Sequence, residues 1–229
     1  MPSSISVVVS YAQSLDGRVA TATGASRWIS CPKSLEYAHV LRRDNDAILV
    51  GIGTVLSDDP LLTCRLPNAR SPRRIVLDSS LRIPLDSQIV RTASEVPTTV
   101  FFDRDAQGVD AARIASRIAS LRNHGVEPVP VSRNREGLLL TAVLEQLNAH
   151  GLRSVFVEGG PGVITAFLKA DLVDELHLVA APIVIGSGVA AVGELGVATL
   201  EQAPRFETVS VSQLGEDLLW LLRKPKHNR

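Results

Sequence analysis

Short apolar runs rich in valine and isoleucine alternate along the chain with stretches whose apolar residues recur every three or four positions. A continuous apolar run suits a strand buried on both faces, and the wider spacing suits an amphipathic helix. On this basis strands are expected over residues 5–12, 47–51, 74–77, 98–102, 127–131, 154–157 and 175–184. Helices are expected over residues 34–43, 110–123, 138–150 and 164–170. Pro32 stands near the start of the first helix and Gly151 stops the third. The strand over 127–131 is weak, broken by Pro128 and Pro130. Near the C-terminus, residues 206–213 and 217–223 flank the turn Leu214-Gly215-Glu216, the pattern of a β-hairpin.

Strands separated by helices predict βαβ units, hence an α/β fold with a mostly parallel central sheet and an antiparallel C-terminal hairpin. No internal repeat or linker interrupts the 229 residues, so a single domain over 1–229 is expected, with a flexible tail at 224–229. The 24 basic and 24 acidic residues cancel. That balance argues against nucleic acid or an anionic membrane as partner, while a few local arginines can still hold a small anion. Cys31 and Cys64 form no CxxC, and no His/Cys group has zinc spacing, so no metal is expected and the reading is a reduced, cytoplasmic chain. The N-terminus lacks a signal-peptide pattern. The longest apolar stretch, 177–185, contains Pro182 and is too short to span a bilayer.

Four segments carry candidate chemistry. Val157-Glu158-Gly159-Gly160-Pro161-Gly162 joins a strand to a helix, where free N–H groups and the helix dipole can cradle a phosphate. A tight turn with no ligand is the plainer alternative. Glu158 there can accept hydrogen bonds from the amino groups of a heterocycle, or simply cap the turn. Gly51-Ile52-Gly53-Thr54-Val55-Leu56 begins like a dinucleotide fingerprint, but Leu56 replaces its third glycine. Thr54 and Asp58 would share one face of a helical turn, for ribose or phosphate contacts or for helix-end capping. After the strand over 74–77, Ser79, Ser80 and Arg82 suit the 2′-phosphate of NADPH, whereas an outward Asp78 would suit NADH; a polar turn before Pro84 with no ligand is the plainer alternative. Trp28 lies in a polar loop beside Ser26, placed to stack on a flat ring or to anchor the loop. Arg42 and Arg65 are candidates for a phosphate monoester, or are solvated charges. None of the five histidines is assigned a catalytic role.

The blocks SLDGRVATATGASRWIS, LRRDNDAILVGIGTVLSDDPLLTCR, RRIVLDSSLRIP, SVFVEGGPGV, LVDELHLVAAPIVIGSG and LGEDLLWLLR, in this order, resemble the pyrimidine reductases of riboflavin biosynthesis over nearly the whole chain. The resemblance implies a dihydrofolate-reductase-like fold, usually dimeric, that uses NADPH to reduce the ribosyl group of a 5′-phosphoribosylamino-pyrimidine to a ribityl chain. Carried over by position, it implies NADPH contacts at Ala12, Trp28, Thr54, Asp58, Ser79, Gly160, Pro161, Gly162, Val163, Ile164, Thr165 and Ala166. It implies that Ser26, Arg42, Leu62 and Arg65 hold the substrate phosphate and that Glu158 reads the pyrimidine. No H-x-E or PCxxC signature is present, so a zinc deaminase activity is not expected. Ser10 stands where the bifunctional bacterial enzymes usually have lysine, and stand-alone archaeal-type reductases resemble the chain better there. Ser10 and Gln13 bear on whether the bound pyrimidine is deaminated or still aminated.

The implied chemistry opens the ribosylamine to an imine, with hydride passing to the former anomeric carbon. No residue stands out as proton donor. Two other readings stay open. One is a pterin reductase, or a pyrimidine reductase of specialised metabolism, on the same fold. The other is a non-catalytic NADPH-binding module. A pterin has no phosphate for the arginines to hold.

Overall fold

The computed structural model describes residues 5–105 and 111–225. In chain order the strands are β1 (Ser6–Ser14), β2 (Arg18–Thr21), β3 (Ala47–Gly51), β4 (Arg73–Leu77), β5 (Thr98–Asp103), β6 (Val126–Val131), β7 (Arg133–Asn134), β8 (Gly137–Leu138), β9 (Ser154–Val157), β10 (Glu175–Ala181), β11 (Gly188–Ala190), β12 (Glu207–Leu214) and β13 (Asp217–Arg223). The helices are α1 (Pro32–Asp44), α2 (Ile52–Asp58), α3 (Gln88–Arg91), α4 (Ala111–Asn123), α5 (Leu140–Ala149) and α6 (Pro161–Lys169), with a short 3₁₀ turn at Leu200–Gln202. Asp110, the expected first residue of a helix, and residues 226–229 of the expected tail lie outside the described residues. The described chain divides into two compact units. One comprises Ile5 with Arg42–Val155, and the other comprises Ser6–Leu41 with the chain from Phe156 onward.

The first unit is built on the parallel strands β3, β4, β5 and β6, in that order. Every residue of β3 and of β5 is buried, as continuous apolar runs require when both faces are covered. The weak strand is in fact continuous. β6 is the outermost strand, where the missing N–H groups of Pro128 and Pro130 break no inner ladder. Arg74 on β4 is fully buried, an unusual position for a charge. Its guanidinium meets six acceptors, the carbonyls of Leu61, Ile89, Thr92 and Val96 and the hydroxyls of Thr92 and Thr98. Burial pushes its pKa down to about 10.

In the second unit β1 runs parallel to β10, β13 antiparallel to β10, and β12 antiparallel to β13. The hairpin is therefore present, with Leu214 ending its first strand. β10 stops at Ala181, three residues short of expectation, because Pro182 cannot donate to the ladder. Helix α6 begins at Pro161 rather than residue 164, with the proline in the first turn, where its missing N–H costs nothing. Asp217, 1% exposed, accepts the Ser34 hydroxyl (2.6 Å) and the Cys31 N–H (2.8 Å), so a carboxylate from the hairpin closes the N-terminus of α1. The unit also holds the short pair β2–β11, which the sequence pattern does not reveal. Lys224 is anchored, its N–H on the Asp174 carbonyl and its ammonium on Asp171.

Candidate active site

Parallel strands deliver their following loops to one edge, and open α/β sheets bind ligands beyond that carboxyl edge. In the first unit, β3 and β4 are neighbours in register from Ala47↔Arg73 to Gly51↔Leu77, so α2 and the turn after β4 emerge side by side. Thr54 and Asp58 lie on α2, four residues apart on one face. The N-cap of α2 is Gly51, and no side chain caps it, so capping does not account for Thr54. Ser79 follows β4 and is half-buried, and Ser80 is exposed. Asp78 is turned inward. It is fully buried, its Oδ2 accepts the Ile83 N–H at 2.7 Å, and burial raises its carboxyl pKa. Its Oδ1 has no hydrogen-bond partner, and the nearest cation, Arg82 Nε, is 4.0 Å away.

The first unit also ties one candidate arginine to the segment that carries the other. Arg42, in the last turn of α1, donates through Nη1 to the Thr63 carbonyl at 3.0 Å, 21 residues away in sequence. That places its guanidinium on the segment that continues, two residues later, to exposed Arg65. Between β3 and β4 this segment is irregular, with Leu62 in the left-handed region (φ 53°) and only 3% exposed. Cys64 N–H donates to the Ser71 hydroxyl at 3.1 Å, which closes the loop on itself.

In the second unit β1 is buried over Val7–Val9 and at Ser14, and half-buried from residue 10 to 13, where Ala12 lies. Ser10 is tied to the neighbouring strand, its hydroxyl on the His177 carbonyl at 2.9 Å. Beyond β1, Asp16 accepts the Ser14 hydroxyl (2.6 Å) and the N–H groups of Ile185 (3.0 Å) and Gly186 (2.7 Å). Those bonds, the Ser14 hydroxyl foremost, hold its pKa down at about 2. Ser26 is exposed, and Trp28 is 70% exposed with the Arg27 guanidinium carbon 5.9 Å from its ring centre. Glu158 follows β9 and is half-buried.

Gly159 is required by packing, because a Cβ there would sit 2.9 Å from the Val163 Cβ. One of the three glycines is thus explained without a ligand. Gly162, in contrast, faces open space, and no side chain caps the N-terminus of α6. Along α6, the Thr165 hydroxyl donates to the Pro161 carbonyl (2.6 Å) and accepts the Gly193 N–H (2.8 Å), so it holds the helix to the following segment. Two features have no counterpart in the sequence reading. Buried His177 stacks on Tyr37 (ring centres 5.9 Å apart) and is hydrogen-bonded to its hydroxyl at 2.7 Å. Arg113 and Arg117, four apart on α4, both reach the turn after β4; their i, i+4 spacing was the available signal. Among the described residues no helix is long and apolar enough to cross a membrane, no group of acids, histidines or cysteines is placed to hold a metal ion, and both cysteines are reduced.

Comparison with known proteins agrees with this architecture. The model of the RibD C-terminal domain matches residues 5–220. A 2,5-diamino-6-ribosylamino-4(3H)-pyrimidinone 5′-phosphate reductase of Methanothermobacter thermautotrophicus is 37% identical over 93% of this chain and 95% of its own. The riboflavin biosynthesis protein RibD of Aquifex aeolicus is 34% identical over 95% of this chain but 57% of its own, so the chain spans little more than half the length of such relatives. Among solved structures, Acinetobacter baumannii RibD superposes with a TM-score of 0.81 at 26% identity, over 97% of this chain and 58% of that one. An Enterococcus faecalis dihydrofolate reductase superposes at 0.53 with 15% identity, over 96% and 97%, and so shares the fold. The chain belongs to the RibD C-terminal domain family, on a mixed α/β, dihydrofolate-reductase-like fold.

Proposed function

We propose that this protein uses NADPH to reduce the ribosyl group of a 5′-phosphoribosylamino-pyrimidine to its ribityl form, in riboflavin biosynthesis. The observation that carries this reading is the approach of Arg42 to the segment ending in Arg65. Two arginines at one loop suit a sugar phosphate, whose oxygens accept paired charge-assisted hydrogen bonds from guanidinium groups. The substrate named for the M. thermautotrophicus relative carries that 5′-phosphate, and a pterin does not.

The residues fit a dinucleotide. The uncapped N-terminus of α6, with Gly162 open beside it, suits its diphosphate, along the run from Gly160 and Pro161 through Val163, Ile164, Thr165 and Ala166. The exposed Trp28 ring offers a stacking surface, and Thr54, Asp58, Ser79 and Ala12 supply the remaining contacts. The inward turn of Asp78 favours NADPH, because no outward acid competes with the 2′-phosphate. When bound, the dihydronicotinamide supplies a hydride.

On the substrate side Ser26, Arg42, Leu62 and Arg65 hold the phosphate, and Glu158 accepts hydrogen bonds from the pyrimidine amino groups. The ring-opened imine carbon gains the hydride, and its nitrogen gains a proton from water or from the substrate's own amine. The protein's contribution is placement. Holding reactants in attack geometry is worth roughly 7–11 kcal/mol, and the phosphate supplies binding energy far from the reacting carbon.

The working form is a homodimer in the cytoplasm. The hairpin exposes Val211 opposite Trp220, with Val209 at the bulge of the first strand and Leu218 near the start of the second, apolar surface that suits a second copy of the chain. The test of function is NADPH oxidation with the phosphorylated pyrimidine and with its dephosphorylated nucleoside. The expected loss of kcat/KM on dephosphorylation is on the order of 100-fold or more, and equal values would refute the phosphate grip.

A further inference from the structure

We propose that the cleft at the carboxyl end of helix α6 is a second ligand site, for a small organic anion built on an apolar ring system.

The cleft lies wholly in the second unit. The last turn of α6, the segment from Leu195 to Arg205 and the chain just after β13 enclose about 490 Å³. Sites for small organic ligands run from about 300 to 1,000 Å³ and combine apolar walls with a few placed polar groups. Leu168, Leu195, Val197 and Pro204 supply the apolar wall here, and Val197, 39% exposed, leaves it open to an entering molecule. By helix rise the cleft is about 12 Å from Pro161, the end of α6 to which the dinucleotide is assigned above.

The wall stands without a ligand. Gln202 Oε1 accepts the Ala198 and Thr199 N–H groups (2.9 and 3.3 Å), and the Gln202 N–H donates to the Thr199 carbonyl at 3.1 Å. The Gly193 N–H ties the start of the same segment to the Thr165 hydroxyl on α6. A preformed wall spares a ligand the entropy of ordering it.

The charge of the cleft names the ligand class. Lys169, Arg205 and Lys224 line it against one acid, Asp171. Lys224 neutralises that acid at 2.7 Å and donates to the Asp171 carbonyl at the end of α6, so neither the carboxylate nor the negative end of the helix dipole is left unopposed. Among the described residues Arg205 makes one hydrogen bond, from Nη2 to the Leu200 carbonyl at 3.3 Å, and the Gln202 Nε2 amide makes none. A carboxylate, sulfonate or phosphate that meets both gains a charge-assisted bond and a neutral one, while its ring system covers the apolar wall.

Fluorescence titrations of the full chain with anilinonaphthalene sulfonate, and with phenylnaphthylamine, the same ring system without the sulfonate, test this. Both probes bind the unaltered protein saturably, and excess NADP⁺ displaces neither. Ala203→Trp, which fills the cleft, removes that binding. Arg205→Gln weakens the sulfonate about tenfold, a change of about 1.4 kcal/mol, and leaves the uncharged probe within about twofold. Trp220→Asp, on the exposed hairpin, leaves both constants unchanged. Melting temperatures check that each variant folds, and exposed Arg205 keeps the test decisive should the tryptophan variant fail to fold. Binding that survives Ala203→Trp, is lost in Trp220→Asp or yields to NADP⁺ lies elsewhere and overturns the site. Equal losses of the two probes in Arg205→Gln, or no loss, overturn the assignment to an anion.

Discussion

Arg74 shows how a single residue can organise the first unit. Its charge sits in the core with six acceptors, four of them backbone carbonyls, three from the chain around α3 and one from Leu61. Replacing it by methionine leaves those carbonyls without a donor, so Arg74→Met is expected to destabilise the protein by about 3–5 kcal/mol. Urea denaturation measures this, and a loss under about 1 kcal/mol would contradict the account. Nothing in the pattern of the strand over 74–77 distinguishes this arginine from one at the surface, because its partners come from residues 13 to 24 positions away. Asp16 offers a pH test. Its folded pKa of about 2 lies below the ordinary value of 3.8, so its stabilisation is complete above about pH 4 and is lost as pH falls toward 2. Asp16→Asn is expected to flatten the acid limb of a melting-temperature profile, and an unchanged limb would show that the carboxylate contributes nothing there.

At the scale of elements, buried parallel strands were the most legible part of the sequence. β3 and β9 have the expected bounds, and β4 and β5 differ by one residue, because unbroken Val/Ile runs leave few alternatives. Legibility failed where tertiary context decides. β6 tolerates two prolines only because it lies outermost, and β2 with β11 are too short to carry a period. α5 starts at Leu140 because residues 137–138 are paired with 133–134. The closure of α1 by Asp217 was equally invisible, since the acid lies 183 residues from Ser34. Asp217→Ala should cost about 2 kcal/mol, the loss of a helix cap together with a buried hydrogen bond. Thermal unfolding checks this, and Ser34→Ala should reproduce part of the loss.

For the whole molecule, the family was legible through the order of the sequence blocks, and the expected site residues came from that order and hardly at all from reading them one at a time. The resemblance named Arg42 and Arg65, but only the folded loop shows Arg42 on the Thr63 carbonyl. The three glycines after β9 carried less information than their number implied, since packing alone requires Gly159. Assembly belongs to this scale too. Trp220→Asp, which puts a charge in the exposed apolar face of the hairpin, is expected to shift the protein from dimer to monomer in sedimentation without unfolding it. A monomer before the substitution would contradict the proposed dimer. At the site, Arg65→Ala should lower kcat/KM for the phosphorylated pyrimidine by 1–2 orders of magnitude, as expected for a lost charge-assisted bond of about 1.5–3 kcal/mol.

The most direct test follows the hydrogen itself. NADPH deuterated at the transferable C4 position is incubated with the protein and the phosphoribosylamino-pyrimidine, and the product is read by NMR and mass spectrometry. The account predicts one deuterium on the ribityl carbon that was anomeric in the substrate. Product formed with no deuterium at that carbon, or NADPH oxidised with the ribosyl group intact, would contradict it.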